Sequence, residues 1–89
     1  MTLDEQFEDA LQRIDALPAQ PNDVLLDLYG LYKQALFGDA GDKPPSQWDF
    51  RARAKFDAWS SHRGIAAEVA KQNYIQYADQ LVTAHQNKG

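Results

Sequence analysis

The chain reads as an all-α protein, a four-helix antiparallel bundle. Two observations carry that reading. Apolar residues recur at helical spacing in four separate segments, and no segment shows the alternation of a half-buried strand. All 4 prolines fall between those segments rather than inside them. At 89 residues the chain fits one domain, residues 1–89. A chain of this size buries roughly 60–65% of the surface that its unfolded form exposes, enough for one modest core.

Helix 1 opens with Thr2 and Glu5 at capping-box spacing. Phe7, Ala10, Leu11, Ile14 and Leu17 follow as one apolar stripe, and Pro18 and Pro21 stop it. Helix 2 starts at Asn22 and Asp23, both good N-cap residues. It runs through Val24, Leu25, Leu28, Tyr29, Tyr32, Ala35 and Leu36, and Gly38 ends it. Residues 38–49 are rich in Gly, Pro and Asp and form a loop. About a dozen structureless residues is long for so small a domain, and long loops are disproportionately functional. Asp49 caps a third helix over 50–62, closed by Gly64. Helix 4, over 66–86, has no hydroxyl cap, and Val69, Tyr74, Ile75, Ala78, Leu81 and Val82 supply its apolar face.

Composition excludes several functions. There are no cysteines, so neither a disulfide framework nor a thiolate metal site is available. The first residues are acidic and lack a signal-peptide pattern, and no apolar run approaches the ~20 residues of a membrane span. A soluble, cytoplasmic protein with no stable membrane insertion is expected, most simply a monomer. The net charge of −4 argues against nucleic acid as a partner, because phosphate neutralisation dominates that affinity. Acidic residues crowd the first half, whereas Arg51, Arg53, Lys55 and Arg63 gather in one short segment. That asymmetry suits a small anionic ligand better than a polyanion.

Catalytic patterns are absent. Ser46, Ser60 and Ser61 lack a nucleophile elbow, and neither His62 nor His85 has a recognisable partner pattern. No zinc-binding H-E-x-x-H, glycine-rich phosphate loop or EF-hand spacing occurs. The sequence points to no catalytic residue, no metal and no cofactor.

A binding constellation is more promising. On a helix, residues four apart share a face, so Tyr29 and Lys33 stack on one side of helix 2 with Tyr32 beside them. Arg51 and Lys55 stand one turn apart on helix 3, with His62 two turns on, and Tyr74 sits near the middle of helix 4. Cations neutralise phosphate, phenol hydroxyls donate to its oxygens, and a tyrosine face stacks on a base. The same spacing also describes core tyrosines and solvated lysines, and periodicity alone leaves both readings open. Trp48, Phe56 and Trp59 read as packing residues, with Trp48 the least suited to a core because it lies in the loop.

Tyr29-x-x-Tyr32-Lys33-Gln34-Ala35 followed by Gly38-Asp39, and then Asp49-Phe50-x-x-x-Ala54-Lys55-Phe56-Asp57-Ala58-Trp59, resemble the acyl-CoA-binding protein family. Gly64 and Tyr74-Ile75 agree in order and spacing, and the resemblance covers nearly the whole chain. It implies a bundle in up-down-down-up order that binds medium- to long-chain fatty acyl-CoA one to one and carries or buffers it without catalysis. Tyr32 would stack on the adenine. Tyr29, Lys33, Lys55 and Tyr74 would surround the 3′-phosphate and nearby head-group atoms, with Arg51 adding charge. The acyl chain would lie near Leu25 and Leu26. The alternative is a module of the same fold that binds a protein or another lipid with reduced acyl-CoA affinity. Phe7, Leu11, Ile14 and Leu17 are expected to meet Ile75, Ala78 and Leu81, joining helices 1 and 4.

Departures from the family pattern are specific. Asp15 stands where the family usually has a ligand-reaching lysine, and Arg13 is two positions away. Phe56 replaces a common tryptophan, and Arg51 replaces a common lysine while keeping its charge. The stretch between Pro21 and Tyr29 is one residue shorter than usual.

Overall fold

The computed structural model describes residues 1–87, so the last two residues of the expected 1–89 domain lie outside the described residues. It contains α1 (Leu3–Asp15), α2 (Asn22–Phe37), α3 (Phe50–Ser60) and α4 (Ala67–Gln86), with no strand among the described residues.

Local chemistry sets most of the boundaries. Thr2 and Glu5 form the capping box: the Glu5 N–H donates to Thr2 Oγ1 at 3.2 Å, and the Thr2 N–H donates to Glu5 Oε1 at 3.1 Å. Asp49 caps α3 by accepting from the Ala52 N–H at 3.1 Å. Gly38 closes α2 at φ 76, a left-handed conformation that costs glycine nothing. Three expectations shift. Pro21, not Asn22 or Asp23, occupies the α2 N-cap and makes no side-chain cap bond, so Asp23 falls in the first turn, where its carboxylate meets the positive end of the helix dipole. Helix 1 stops at Asp15, leaving Leu17 beyond it. Helix 3 stops at Ser60 rather than 62, because the chain tightens: the His62 and Arg63 N–H groups donate three residues back, to Trp59 and Ser60.

Named contacts fix the topology. Lys71 on α4 meets Asp4 on α1 at 2.6 Å, and Arg13 meets Asp79 at 2.8 Å, so α1 and α4 run parallel. Gln34 reaches the Ile65 carbonyl at 2.8 Å, whereas Tyr77 reaches Asp27 at 3.4 Å, so α2 runs against α4. Leu25 and Leu26 face Arg51 and Ala54, while Gly38 meets Trp59, so α2 and α3 run together. That is up-down-down-up order. The helices pack serially as α1, α4, α2, α3, giving a slab of 41 × 28 × 15 Å.

The core sits around α4. Phe7 and Ala10 from α1, Leu28, Leu31 and Ala35 from α2, and Ala70, Tyr74 and Ala78 from α4 are buried together. Two alanines about two turns apart on α4, Ala70 and Ala78, let it lie close between two neighbours. Leu11, Ile14, Ile75 and Leu81 pack against this cluster as expected. Leu25, Leu36 and Val69 do not join it, at 46%, 47% and 44% exposure. Their stripe positions face away from the helix that would have covered them.

Helix α3 buries no residue fully and touches only α2. Its attachment depends on Gly30, where a Cβ would lie 2.5 Å from the Ala58 carbonyl oxygen and 2.9 Å from the His62 ring. A latch closes the same end. Buried Gln34 donates to Asp39 Oδ1 and to the Ile65 carbonyl, both at 2.8 Å, while the Gly64 N–H donates to the same Asp39 oxygen at 2.8 Å. Trp59 Nε1 donates to the Gly38 carbonyl at 2.7 Å, and Arg63 reaches the Ala40 carbonyl at 2.9 Å.

Candidate functional site

Because α3 leans on α2 near Gly30 and Gly38 but not along its whole length, the first turns of both helices diverge into a groove. Its floor is Leu25 and Leu26 of α2 with Ala54 and Phe50 of α3. Asn22 closes one end, while Tyr29, Lys55 and Arg51 form the polar margin. The groove has a volume of about 620 Å³, within the range of about 300–1,000 Å³ usual for small-molecule sites.

At the margin the charges are organised around one ring. Lys55 Nζ lies 5.2 Å from the centre of the Tyr29 ring, and Lys33 Nζ lies 5.7 Å from it. Lys33 also sits 4.5 Å from the Phe37 ring and 5.3 Å from Trp59. Cations over aromatic faces gain about 0.5–1 kcal/mol when exposed. That is enough to orient a lysine, but less than a charge-assisted bond to phosphate would gain. Neither Lys33 nor Lys55 is in an ion pair among the described residues.

Tyr29 divides two spaces. On its far side, a smaller pocket of about 250 Å³ lies between Pro45, Phe56 and Trp59, again with Lys55 at the edge. Phe56, in place of the bulkier tryptophan, contributes to its wall.

The expected site residues therefore separate. Leu25, Leu26, Tyr29, Arg51 and Lys55 share the groove, and Lys33 adjoins it through Tyr29. Tyr32 and Tyr74 turn toward α1: their ring centres lie 6.4 and 5.3 Å from that of Phe7. Tyr74 is only 4% exposed. Burial, with the Tyr32 hydroxyl and the Asp15 carboxylate, pushes its phenol up to about 12, so it stays a neutral donor. The ring is thus core, while the hydroxyl end neighbours Tyr32 and Asp15. His62 lies in the turn after α3, against Gly30 and away from the groove. There it lines a cavity of about 380 Å³ with Asp27, Asn73 and Gln76, whose permanent charge is a carboxylate and which therefore suits no anion.

Asn22, Phe50, Ala54 and the Lys33 partner Phe37 were not assigned to the site from the sequence. Their signal was present: Asn22, Leu25, Leu26 and Tyr29 share one helix face, as do Phe50, Arg51, Ala54 and Lys55, and Lys33 and Phe37 are four apart.

Comparison with known proteins bears directly on this geometry. The family model described as acyl CoA binding protein matches residues 4–78. The chain belongs to the acyl-CoA-binding protein family. It is 41% identical over 85 residues to an acyl-CoA-binding protein of Gossypium hirsutum, covering 94% of this chain and 96% of that relative. It is 39% identical over 80 residues to acyl-CoA-binding protein 2 of Saccharomyces pastorianus, covering 89% and 92%. The crystal structure of Oryza sativa acyl-CoA-binding protein 2 superposes with a TM-score of 0.94 at 34% identity, covering 99% of both chains. Within an acyl-CoA-binding protein fold, the departure to weigh is Asp15, the exposed last residue of α1, whose charge is felt at the Tyr74 hydroxyl.

Proposed function

We propose that this chain binds medium- to long-chain fatty acyl-CoA one to one and carries it through the cytoplasm as a monomer, without transforming it. One observation carries the reading: an apolar groove ends at a tyrosine flanked by two lysines from different helices. A thioester with an aliphatic tail and a phosphorylated head matches both halves. The tail lies over Leu25, Leu26, Ala54 and Phe50. The phosphates meet Lys33, Lys55 and Arg51, with Tyr29 donating its hydroxyl, and Tyr32 and Tyr74 border the nucleotide.

Magnitudes support the division. A buried methylene contributes about 0.8 kcal/mol, so covering most of a palmitoyl tail gives on the order of 8–10 kcal/mol before costs. Each charge-assisted bond adds about 1.5–3 kcal/mol. Association entropy removes a large share. Micromolar to nanomolar affinity needs about −8 to −12 kcal/mol, which neither half reaches comfortably alone. The lysine pair also favours this reading over a same-fold interaction module, since folding does not require two unpaired cations beside one ring.

A chain-length series tests it. Titration with acyl-CoAs from butyryl to stearoyl is expected to show affinity rising steeply with each pair of methylenes. Affinity independent of chain length would overturn the assignment of the groove to the tail.

A further inference from the structure

The structure assigns a second role to the start of α3: we propose that the Trp48–Phe50 corner docks the protein peripherally on an anionic lipid surface. Trp48 and Phe50 are each 77% exposed, and they lie two residues apart at the point where the loop enters α3. The fold has no use for either ring in its buried core. Phe50 also lines the groove with the half-exposed Leu25, so the corner adjoins the groove.

Charge decides the partner. The protein carries −4 overall, yet residues 43–56 hold Lys43, Arg51, Arg53 and Lys55 against one carboxylate, Asp49. Asp49 is exposed and engaged as the α3 cap, and Asp42, just before this stretch, pairs with Arg63 at 3.8 Å. Arg53 pairs with Asp57 at 3.5 Å, whereas Lys43, Arg51 and Lys55 enter no ion pair among the described residues. Pro45 lies beside Lys55 and its carbonyl accepts from Arg53 at 3.5 Å, which keeps the Lys43 segment on this side. The acidic residues Asp4, Glu5, Glu8 and Asp9 are on α1, separated from α3 by α4 and α2. At ordinary helix spacings of 8–10 Å that is about 20 Å or more, beyond the ~10 Å screening length in salt. An anionic surface therefore meets the basic corner without the repulsion of the acidic edge. Exposed tryptophan flanked by lysine and arginine is the pattern of an interfacial anchor. Docked this way, the groove opens toward the lipid.

Docking itself needs no bound thioester, so the test uses ligand-free protein. It is sedimented with vesicles of phosphatidylcholine, with and without phosphatidylserine, at low and high salt. Binding is expected only with phosphatidylserine and should fall at high salt. Trp48→Ala, a surface change outside the groove, should weaken it about ten-fold while leaving helicity and palmitoyl-CoA affinity unchanged. Lys43→Glu should weaken it similarly. Equal binding to neutral vesicles, no binding to either, or wild-type binding by Trp48→Ala would overturn the proposal. So would sedimentation showing a Trp48-dependent dimer, which would assign the corner to a second copy. A protein that docks but binds no acyl-CoA would leave the corner standing and remove only the carrier reading.

Discussion

The Lys55 ammonium lies 5.2 Å from the centre of the Tyr29 ring, across the junction of α2 and α3. Lys33 approaches the same ring from its own helix, so one phenol holds two cations near a shared point. Lys55→Ala should therefore reduce palmitoyl-CoA affinity by about 1.5–3 kcal/mol, roughly ten- to a hundred-fold or slightly more. Its thermal midpoint should hardly move, because the side chain is exposed and unpaired. Calorimetry and a melting curve on the same sample check both halves; equal loss in both would make the lysine structural.

Gly30 predicts the opposite pattern. Glycine in a helix interior normally costs about 1 kcal/mol relative to alanine. Here a Cβ would lie 2.5 Å from the Ala58 carbonyl oxygen, which is backbone and cannot yield without moving α3. Gly30→Ala should destabilise the protein by about 1–3 kcal/mol in urea unfolding. A more stable variant would show that the close approach of α2 and α3 is wrong.

The latch at Asp39 makes stability depend on acid. The Gly64 N–H and then the Gln34 amide hold its carboxyl below the ordinary value of 3.8. The carboxylate is favoured in the folded state, so its contribution is complete above the unfolded value and is lost as the pH falls through the lowered folded one. Asp39→Asn should melt lower than the parent at neutral pH, and the two should converge in acid. Glu5, lowered mainly by its bond to the Thr2 backbone, titrates with the same sign in both proteins. Thermal midpoints measured from neutral pH to below the carboxylate range check this; a constant gap would contradict it.

Ile75 separates folding from binding. It packs against the buried core and does not line the groove. Ile75→Ala should cost about 1–3 kcal/mol of stability, less than a fully buried isoleucine, and leave ligand affinity nearly unchanged.

Much of this was legible locally. The Thr2–Glu5 box, the Asp49 cap and the Gly38 stop are signals within three residues or at a single position, and each appears where expected. Tyr29, Arg51 and Lys55 could be placed on helix faces because the period is fixed. What periodicity cannot supply is which face a neighbour covers. Leu25, Leu36 and Val69 belong to good stripes, but the serial order α1, α4, α2, α3 leaves them uncovered. Tyr74 shows the same limit in reverse, since its ring belongs to the core that α4 makes with Phe7. The bonds from Gln34 to Ile65 and from Gly64 to Asp39 span 31 and 25 residues, and no local pattern announces them. Gly30 likewise carries no local sign of the Ala58 backbone packed against it.

The central claim is that one groove binds both halves of a single ligand. Calorimetric titration with palmitoyl-CoA, free CoA and palmitate tests it most directly. Saturable one-to-one binding of palmitoyl-CoA, far tighter than that of either fragment, is the predicted result. No saturable binding of palmitoyl-CoA, or equal affinity for palmitate alone, would contradict it.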